Sequence, residues 1–149
     1  MTTHTILQPA GWAKPKGYAN GVAAQGRFVF VGGQIGWNGQ SRFETDDLVG
    51  QVRQTLRNVV DVLAEAGAKP EHVTTMTWYL TNKKDYLGNL EGIGKAYREV
   101  MGRNFPAMAV VEVTAWSRTA PRSRSRPWRS FRPDLPRVPD TGTASALSE

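Results

Sequence analysis

At Ala115–Trp116 an apolar, extended run stops in mid-pattern, and the residues after it do not supply the partner strand that such a run needs. Upstream stands Phe105-Pro-Ala-Met-Ala-Val-Val-Glu-Val-Thr-Ala115, a strand of the kind that ends on a hydrophilic turn and returns beside itself or a neighbour. Downstream stands Trp-Ser-Arg-Thr-Ala-Pro-Arg-Ser-Arg-Ser-Arg-Pro-Trp-Arg-Ser-Phe-Arg-Pro, which has neither strand nor helix periodicity and carries prolines that exclude a central strand. The chain therefore reads as a folded part over 1–115 and an irregular, basic Arg/Ser/Pro-rich tail over 116–149.

A one-base displacement of the reading frame accounts for the change. Trp has the single codon TGG, so Trp116 and Trp128 each yield an apolar codon ending in TG, and Phe131 yields one ending in TT. With serine as TCG and arginine as AGG or CGG, the segment from Trp116 becomes Leu-Val-Glu-Asp-Arg-Ala-Pro-Val-Glu-Val-Glu-Ala-Val-Ala-Val-Val-Pro. That is a turn followed by an alternating strand. Two readings stand: a frameshift product in which the final strand is lost or replaced, or a natural basic tail without order.

Charge follows the same division. The chain has 19 Lys+Arg against 13 Asp+Glu, net +6, and the seven arginines and three acids after Ala115 contribute +4 of it. The basic balance is thus mainly a property of the tail and argues only weakly for a nucleic-acid partner. A length of 149 residues fits one domain. The absence of cysteine excludes disulfides, thiolate catalysis and Cys-ligated metals. Neither a leader-like N-terminus nor a membrane-length apolar run is present, so the expectation is a cytoplasmic enzyme or binding protein without a membrane partner.

Within the first 115 residues, Arg27-Phe-Val-Phe-Val-Gly-Gly-Gln-Ile-Gly-Trp37 reads as a buried strand leading to a glycine-bounded corner, with Tyr18 to Ala23 as its hairpin partner. From Thr45, with Asp46 and Asp47 in the first turn, Leu48, Val49, Val52, Leu56, Val59, Val60 and Leu63 recur at helical spacing up to a stop at Gly67. His72 to Thr81 reads as a strand and Asn82–Asp85 as a helix entry. Leu87, Leu90, Ile93, Tyr97 and Met101 form a second stripe, ended by Gly102. The last strand is Ala107 to Ala115. The order β-β-α-β-α-β predicts an α+β mixed sheet with both helices on one face.

The usual catalytic signatures are absent: no Gly-x-x-x-x-Gly-Lys, no Gly-x-Gly-x-x-Gly and no His-Glu-x-x-His. Of the two histidines, His4 falls in a segment expected to fray and His72 at a helix-to-strand connection, so both read as structural or solvated. What remains is Lys16-Gly-Tyr18-x-x-Gly, then Phe30-Val-Gly-Gly-Gln-Ile-Gly, then Asn104-Phe-Pro-Ala-Met-Ala-Val-Val-Glu-Val. In their order and spacing these motifs resemble the RidA/YjgF family, once grouped under an endoribonuclease name, over Gly17 to Ala115. The displaced-frame Val-Glu-Val-Glu-Ala-Val-Ala-Val is similar to that family's last strand.

The resemblance implies a chorismate-mutase-like α+β subunit, a homotrimer with clefts between subunits, and a small-molecule substrate handled without metal or bound cofactor. The trimer is expected once the last strand is restored. Deaminase-type members hydrolyse reactive enamines and imines to 2-oxo acids and ammonia, and an arginine after Phe-Pro-Ala grips the substrate carboxylate through its planar fork. Here that position is Met108. Tyr18 matches a cleft-lining tyrosine, although it could equally anchor a hairpin. The serine expected before Gly-Gln-Ile is represented by Gly32, followed by Gly33, and an asparagine expected on the second helix by Gly94. A glutamate of the last strand exists only in the displaced frame.

Trp37 and Trp78 could stack on a planar ligand or pack in the interior. Glu112 could act as a base or stand as a solvated carboxylate, and the corner at Gly32, Gly33 and Gly36 could serve a sharp bend or present amides to an anion. The leading expectation is hydrolytic deamination of an enamine or imine that need not carry a carboxylate. Two alternatives accompany it: a non-catalytic metabolite-binding trimer, and RNA binding or cleavage through the arginine tail.

Overall fold

Asp47 sets where the first helix begins. Its carboxylate accepts the amide of Gly50 at 2.7 Å, satisfying one of the donors that a helix start leaves without a partner. In the computed structural model, which describes residues 4–114 and the backbone of 130–132, the resulting helix α1 runs Leu48–Glu65. The acidic pair thus lies just outside the first turn rather than within it. Leu48, Val52, Leu56, Val59 and Leu63 form its buried stripe, and Gly67, with φ +69°, turns the chain away in a left-handed conformation suited to glycine.

A short 3-10 turn, Pro70–His72, leads to the strand that organises the core. Numbered in chain order, the strands are β1 His4–Leu7, β2 Gly21–Ala24, β3 Gln34–Ile35, β4 Thr75–Leu80, β5 Ala107–Glu112 and β6 Ser130–Arg132. Along β4, Met76, Trp78 and Leu80 are buried while Thr75, Thr77 and Tyr79 are half-buried, as alternation on a pleated strand requires. β5 pairs with β4 in parallel, from Thr75↔Ala107 to Leu80↔Glu112. A parallel pair needs a long crossover, supplied by α2, Lys83–Gly88, and α3, Leu90–Met101.

The single second helix expected from Asn82 is broken at Asn89. Asn82 does cap the entry, its side chain accepting the amide of Asp85. The expected apolar stripe begins later than its pattern suggested: Leu87 and Leu90 stay exposed, and the buried residues are Ile93, Ala96, Tyr97 and Met101. Those residues and the α1 stripe meet Met76 and Trp78 in one core, so α1 and α3 share one face of the sheet, as expected.

Two strand expectations need correction. Residues 21–24 pair with β1, from His4↔Ala24 to Leu7↔Gly21, and not with the segment after Arg27. His4 therefore begins a strand rather than a frayed end. The tail is also not wholly irregular: β6 inserts antiparallel between β3 and β4, with Phe131 opposite both Gln34 and Trp78. The main sheet has the order β3-β6-β4-β5. The remaining tail residues, and with them the proposed boundary at 115, lie outside the described residues. Among the described residues no helix is long and apolar enough to cross a membrane.

Candidate functional site

The candidate residues fall on two edges of one sheet. At the β5 edge, the amide of Ala19 donates to the carbonyl of Pro106 at 2.9 Å, and Ala19 forms a parallel bridge with Ala107. This holds the exposed Tyr18 beside the start of β5, where Met108 is the second residue. Gly17, at φ +79°, makes the turn into that contact. Met108 lies opposite Met76 in the ladder and packs, half-buried, against the core. Its side chain thus stands on the same edge as Tyr18 and packs partly into the core.

The loop before β5 is fixed from behind by polar contacts. The Tyr97 hydroxyl donates to the carbonyl of Asn104, and Asn104 Nδ2 donates to the carbonyl of Met101 at 2.7 Å. Burial pushes the Tyr97 phenol well above its ordinary value, so it remains a donor at any physiological pH. Its ring stacks on Phe105 at 5.4 Å. Glu112, at the far end of β5, is exposed, and its Oε1 accepts the backbone amide of Lys83 at 2.8 Å. That carboxylate ties the β4–α2 connection to β5.

At the other edge, Gly32 and Gly33 are exposed on the approach to β3. A Cβ added to Gly32 would meet nothing within 4 Å, whereas one added to the buried Gly36 would lie 2.7 Å from Gln51 Cβ. Gly36 is therefore the glycine the corner requires. Asn58 of α1 donates through Nδ2 to the carbonyls of Ile35 at 3.0 Å and Trp37 at 2.8 Å, and Trp37 leans on Phe43 with ring centroids 6.3 Å apart. Trp37 is half-buried.

Tyr18 and Met108 therefore belong to one half, Gly32, Gly33 and Trp37 to the other. β6 and β4 intervene between β3 and β5, and at strand spacing that places the halves roughly 14 Å apart. A single chain does not bring them to one small substrate. Glu112 lies with the β5 half but is engaged by Lys83.

Trp78 is not a ligand platform, since it is buried between Tyr86 and Tyr97. His72 accepts the amide of Lys69 through Nδ1 at 3.0 Å and is structural, as expected. Among the described residues no cluster of three His, Cys, Asp or Glu side chains is arranged to hold a metal ion. Sequence reasoning missed Asn58, which sets the β3 edge, and carried Asn104 as part of a motif without its role in holding the loop before β5. The signal for Asn58 was an amide set beside the apolar stripe, one residue before Val59.

Residues 12–121 match the pattern of the family described as endoribonuclease L-PSP. A RutC family protein of Pyrococcus abyssi is 30% identical over 102 residues, covering 68% of this chain and 77% of that protein. A conserved Rid-family protein of Yersinia pestis, YyfB, whose function is unknown, superposes with a TM-score of 0.73 at 24% identity, covering 88% of this chain and 96% of that one. A member of the YjgF/YER057c/UK114 family from Mycobacterium tuberculosis gives 0.52 at 25% identity, over 78% and 84%.

Proposed function

The chain belongs to the endoribonuclease L-PSP family, which embraces the Rid/YjgF and RutC proteins, and on that premise we propose that it hydrolyses a reactive enamine or imine lacking an essential carboxylate. The observation that carries this reading is Met108. At the edge position next to Tyr18, where the deaminase-type relatives place a carboxylate-binding arginine, a thioether offers neither charge nor donors. An apolar imine carbon chain suits that surface, and an α-carboxylate does not.

The cleft is assembled from two copies. The β5 edge of one subunit, with Tyr18 and Met108, faces the Gly32–Gly33 edge of the next, and three such contacts close a homotrimer. The separation of the two halves in one chain supports this arrangement, because the site is incomplete without a neighbour. Tyr18 orients the substrate nitrogen through its hydroxyl, and the exposed backbone at Gly32–Gly33 lies against the reacting carbon. Water adds to the C=N carbon, the nitrogen takes up protons, and the C–N bond breaks to give a carbonyl compound and ammonia. Positioning and backbone dipoles supply the acceleration.

The test generates imines in situ, one set with an amine oxidase and one with an amino-acid oxidase, and follows ammonia release above the spontaneous rate. Faster release from the carboxylate-free set is expected. Turnover of 2-aminoacrylate at the rate of an arginine-bearing homologue would overturn the substrate assignment. A second reading, a non-catalytic metabolite-binding trimer, is favoured by Glu112, the one carboxylate of the β5 edge, being bound to the Lys83 amide. A ligand-induced thermal shift without any turnover would select it.

A further inference from the structure

The chain contains two Asn-Gly steps, Asn20-Gly21 and Asn38-Gly39, and the fold treats them differently. A glycine after asparagine leaves the backbone nitrogen unhindered for attack on the side-chain amide, which closes a five-membered succinimide. Asn38 opens a tight loop. Its amide donates to the carbonyl of Arg42 at 2.8 Å, its carbonyl accepts the amide of Ser41 at 2.9 Å, and Trp37 and Phe43 close the loop as an antiparallel bridge. The Asn38 side chain is engaged at both ends: Oδ1 accepts the amides of Gln40 at 3.0 Å and Arg42 at 3.1 Å, and Nδ2 donates to Glu44 Oε1 at 2.9 Å. The amide of Gly39, by contrast, makes no hydrogen bond to any described residue. A Cβ built on Gly39 would meet nothing within 4 Å, so the ring has room to close.

We propose that Asn38 is a self-modifying site, at which the loop promotes its own deamidation. Addition at Asn38 Cγ drives negative charge onto Oδ1, where two backbone amides already donate. The leaving nitrogen needs a proton, and Glu44 is hydrogen-bonded to it. The Gly39 nitrogen bonds to Cγ and gives up its proton, the Cγ–Nδ2 bond breaks, and Nδ2 leaves as ammonia with a proton relayed by Glu44. Water then opens the ring, at Cγ to give aspartate or at the backbone carbonyl to give isoaspartate. Aspartate sets a carboxylate against Glu44 in place of a donor, and isoaspartate adds a backbone methylene that breaks the Asn38–Arg42 register. Either product loosens the Trp37–Phe43 pair beside the β3 edge. Asn20 lacks this setting: its Nδ2 donates to the neutral Gln8 Oε1 at 2.8 Å, and its Oδ1 receives no donor among the described residues. Gly21 is also held in the ladder opposite Leu7, whose Cβ lies 3.4 Å from where a Cβ on that glycine would stand. This inference is independent of the catalytic reading.

The experiment incubates the full chain at neutral pH, native and in urea, and follows both asparagines by peptide mass spectrometry, with an isoaspartyl methyltransferase to report the isomer. In the native chain Asn38 should convert at least about tenfold faster than Asn20, less than a single positioned oxyanion donor can provide. In urea the two should react alike. Glu44→Gln keeps an acceptor for Nδ2 but carries no proton, and should slow native conversion at Asn38 by about tenfold or more. Protection of the Ser41 and Arg42 amides, read before incubation, shows that the variant keeps the loop. Equal native rates at the two asparagines, an Asn38 that reacts in urea but persists in the folded chain, or undiminished conversion in Glu44→Gln would each overturn the proposal.

Discussion

Glu112 Oε1 accepts the backbone amide of Lys83 at 2.8 Å, joining the end of β5 to the first residue of α2. The amide is one of the donors that a helix start leaves without a partner, and a carboxylate is a strong acceptor there. The contact spans the parallel pair at its open end, one position beyond which Val113 donates to Leu80. Glu112 therefore holds the crossover against the sheet, a task distinct from moving protons.

Replacing Glu112 separates the two roles. Glu112→Gln keeps an acceptor oxygen and should leave both unfolding midpoint and turnover nearly unchanged, while Glu112→Ala should cost about 0.5–1 kcal/mol of stability. A general base removed by the glutamine would instead lower turnover by about two orders of magnitude or more. Chemical denaturation alongside ammonia release distinguishes these outcomes.

Tyr97 offers a second anchor to test. Its hydroxyl donates to the Asn104 carbonyl, and Tyr97→Phe preserves the stacking on Phe105 while leaving that carbonyl unmet. The expected loss is about 1 kcal/mol. Because Asn104 begins the loop from which Pro106 receives the Ala19 amide, the variant should also loosen Tyr18, visible as faster amide exchange at residues 18–19.

The two corner glycines should respond in opposite ways. Gly36→Ala brings a Cβ within 2.8 Å of the Gln51 backbone Cα, so α1 or the corner must shift, at a cost of roughly 1–3 kcal/mol. Gly32→Ser has open space at its Cβ and should stay within about 0.5 kcal/mol of the parent. Equal destabilisation by both would show that the corner is not what fixes the β3 edge.

Glu99 links α3 to α1 through Arg53 and Arg57, each at 2.8 Å. The hydrogen bond from Arg53, aided by Arg57, holds its carboxylate below the usual range. A depressed folded value means that the contribution is present above the unfolded pKa of about 4.3 and is lost as pH falls through the lower folded value. The midpoint gap between the parent and Glu99→Gln should thus be constant near neutrality and close only below that range. It should shrink in high salt, since Glu99 is exposed.

The elements carried by strong periodicity were legible in the sequence. The α1 stripe from Leu48 to Leu63, the alternation of Met76, Trp78 and Leu80, and the caps at Asn82 and Gly67 all follow from local rules that tertiary packing did not override. Partnership was less legible. Nothing local to Gly21–Ala24 distinguishes β1 from the Arg27 segment as its neighbour, and nothing periodic in the tail announces the three residues of β6 that pair with β3 and β4. Where the candidate residues stand was illegible, since they share a motif order but fall on opposite edges of the sheet.

On the proposed reading Met108 sets the substrate class, which makes it the residue to change. It stands on the edge strand β5 beside the Tyr18–Ala19 contact, half-buried against the core. Met108→Arg places a long side chain at the edge of the proposed cleft, where a guanidinium binds a carboxylate bidentately. Hydrolysis of imines bearing an α-carboxylate should rise at least about tenfold relative to carboxylate-free imines, as one charged hydrogen-bonded pair of about 1.5–3 kcal/mol provides. Met108→Leu is the control, expected to leave the preference unchanged. If the arginine variant folds with an unaltered midpoint and still shows no shift in preference, the β5 edge is not where substrate is bound.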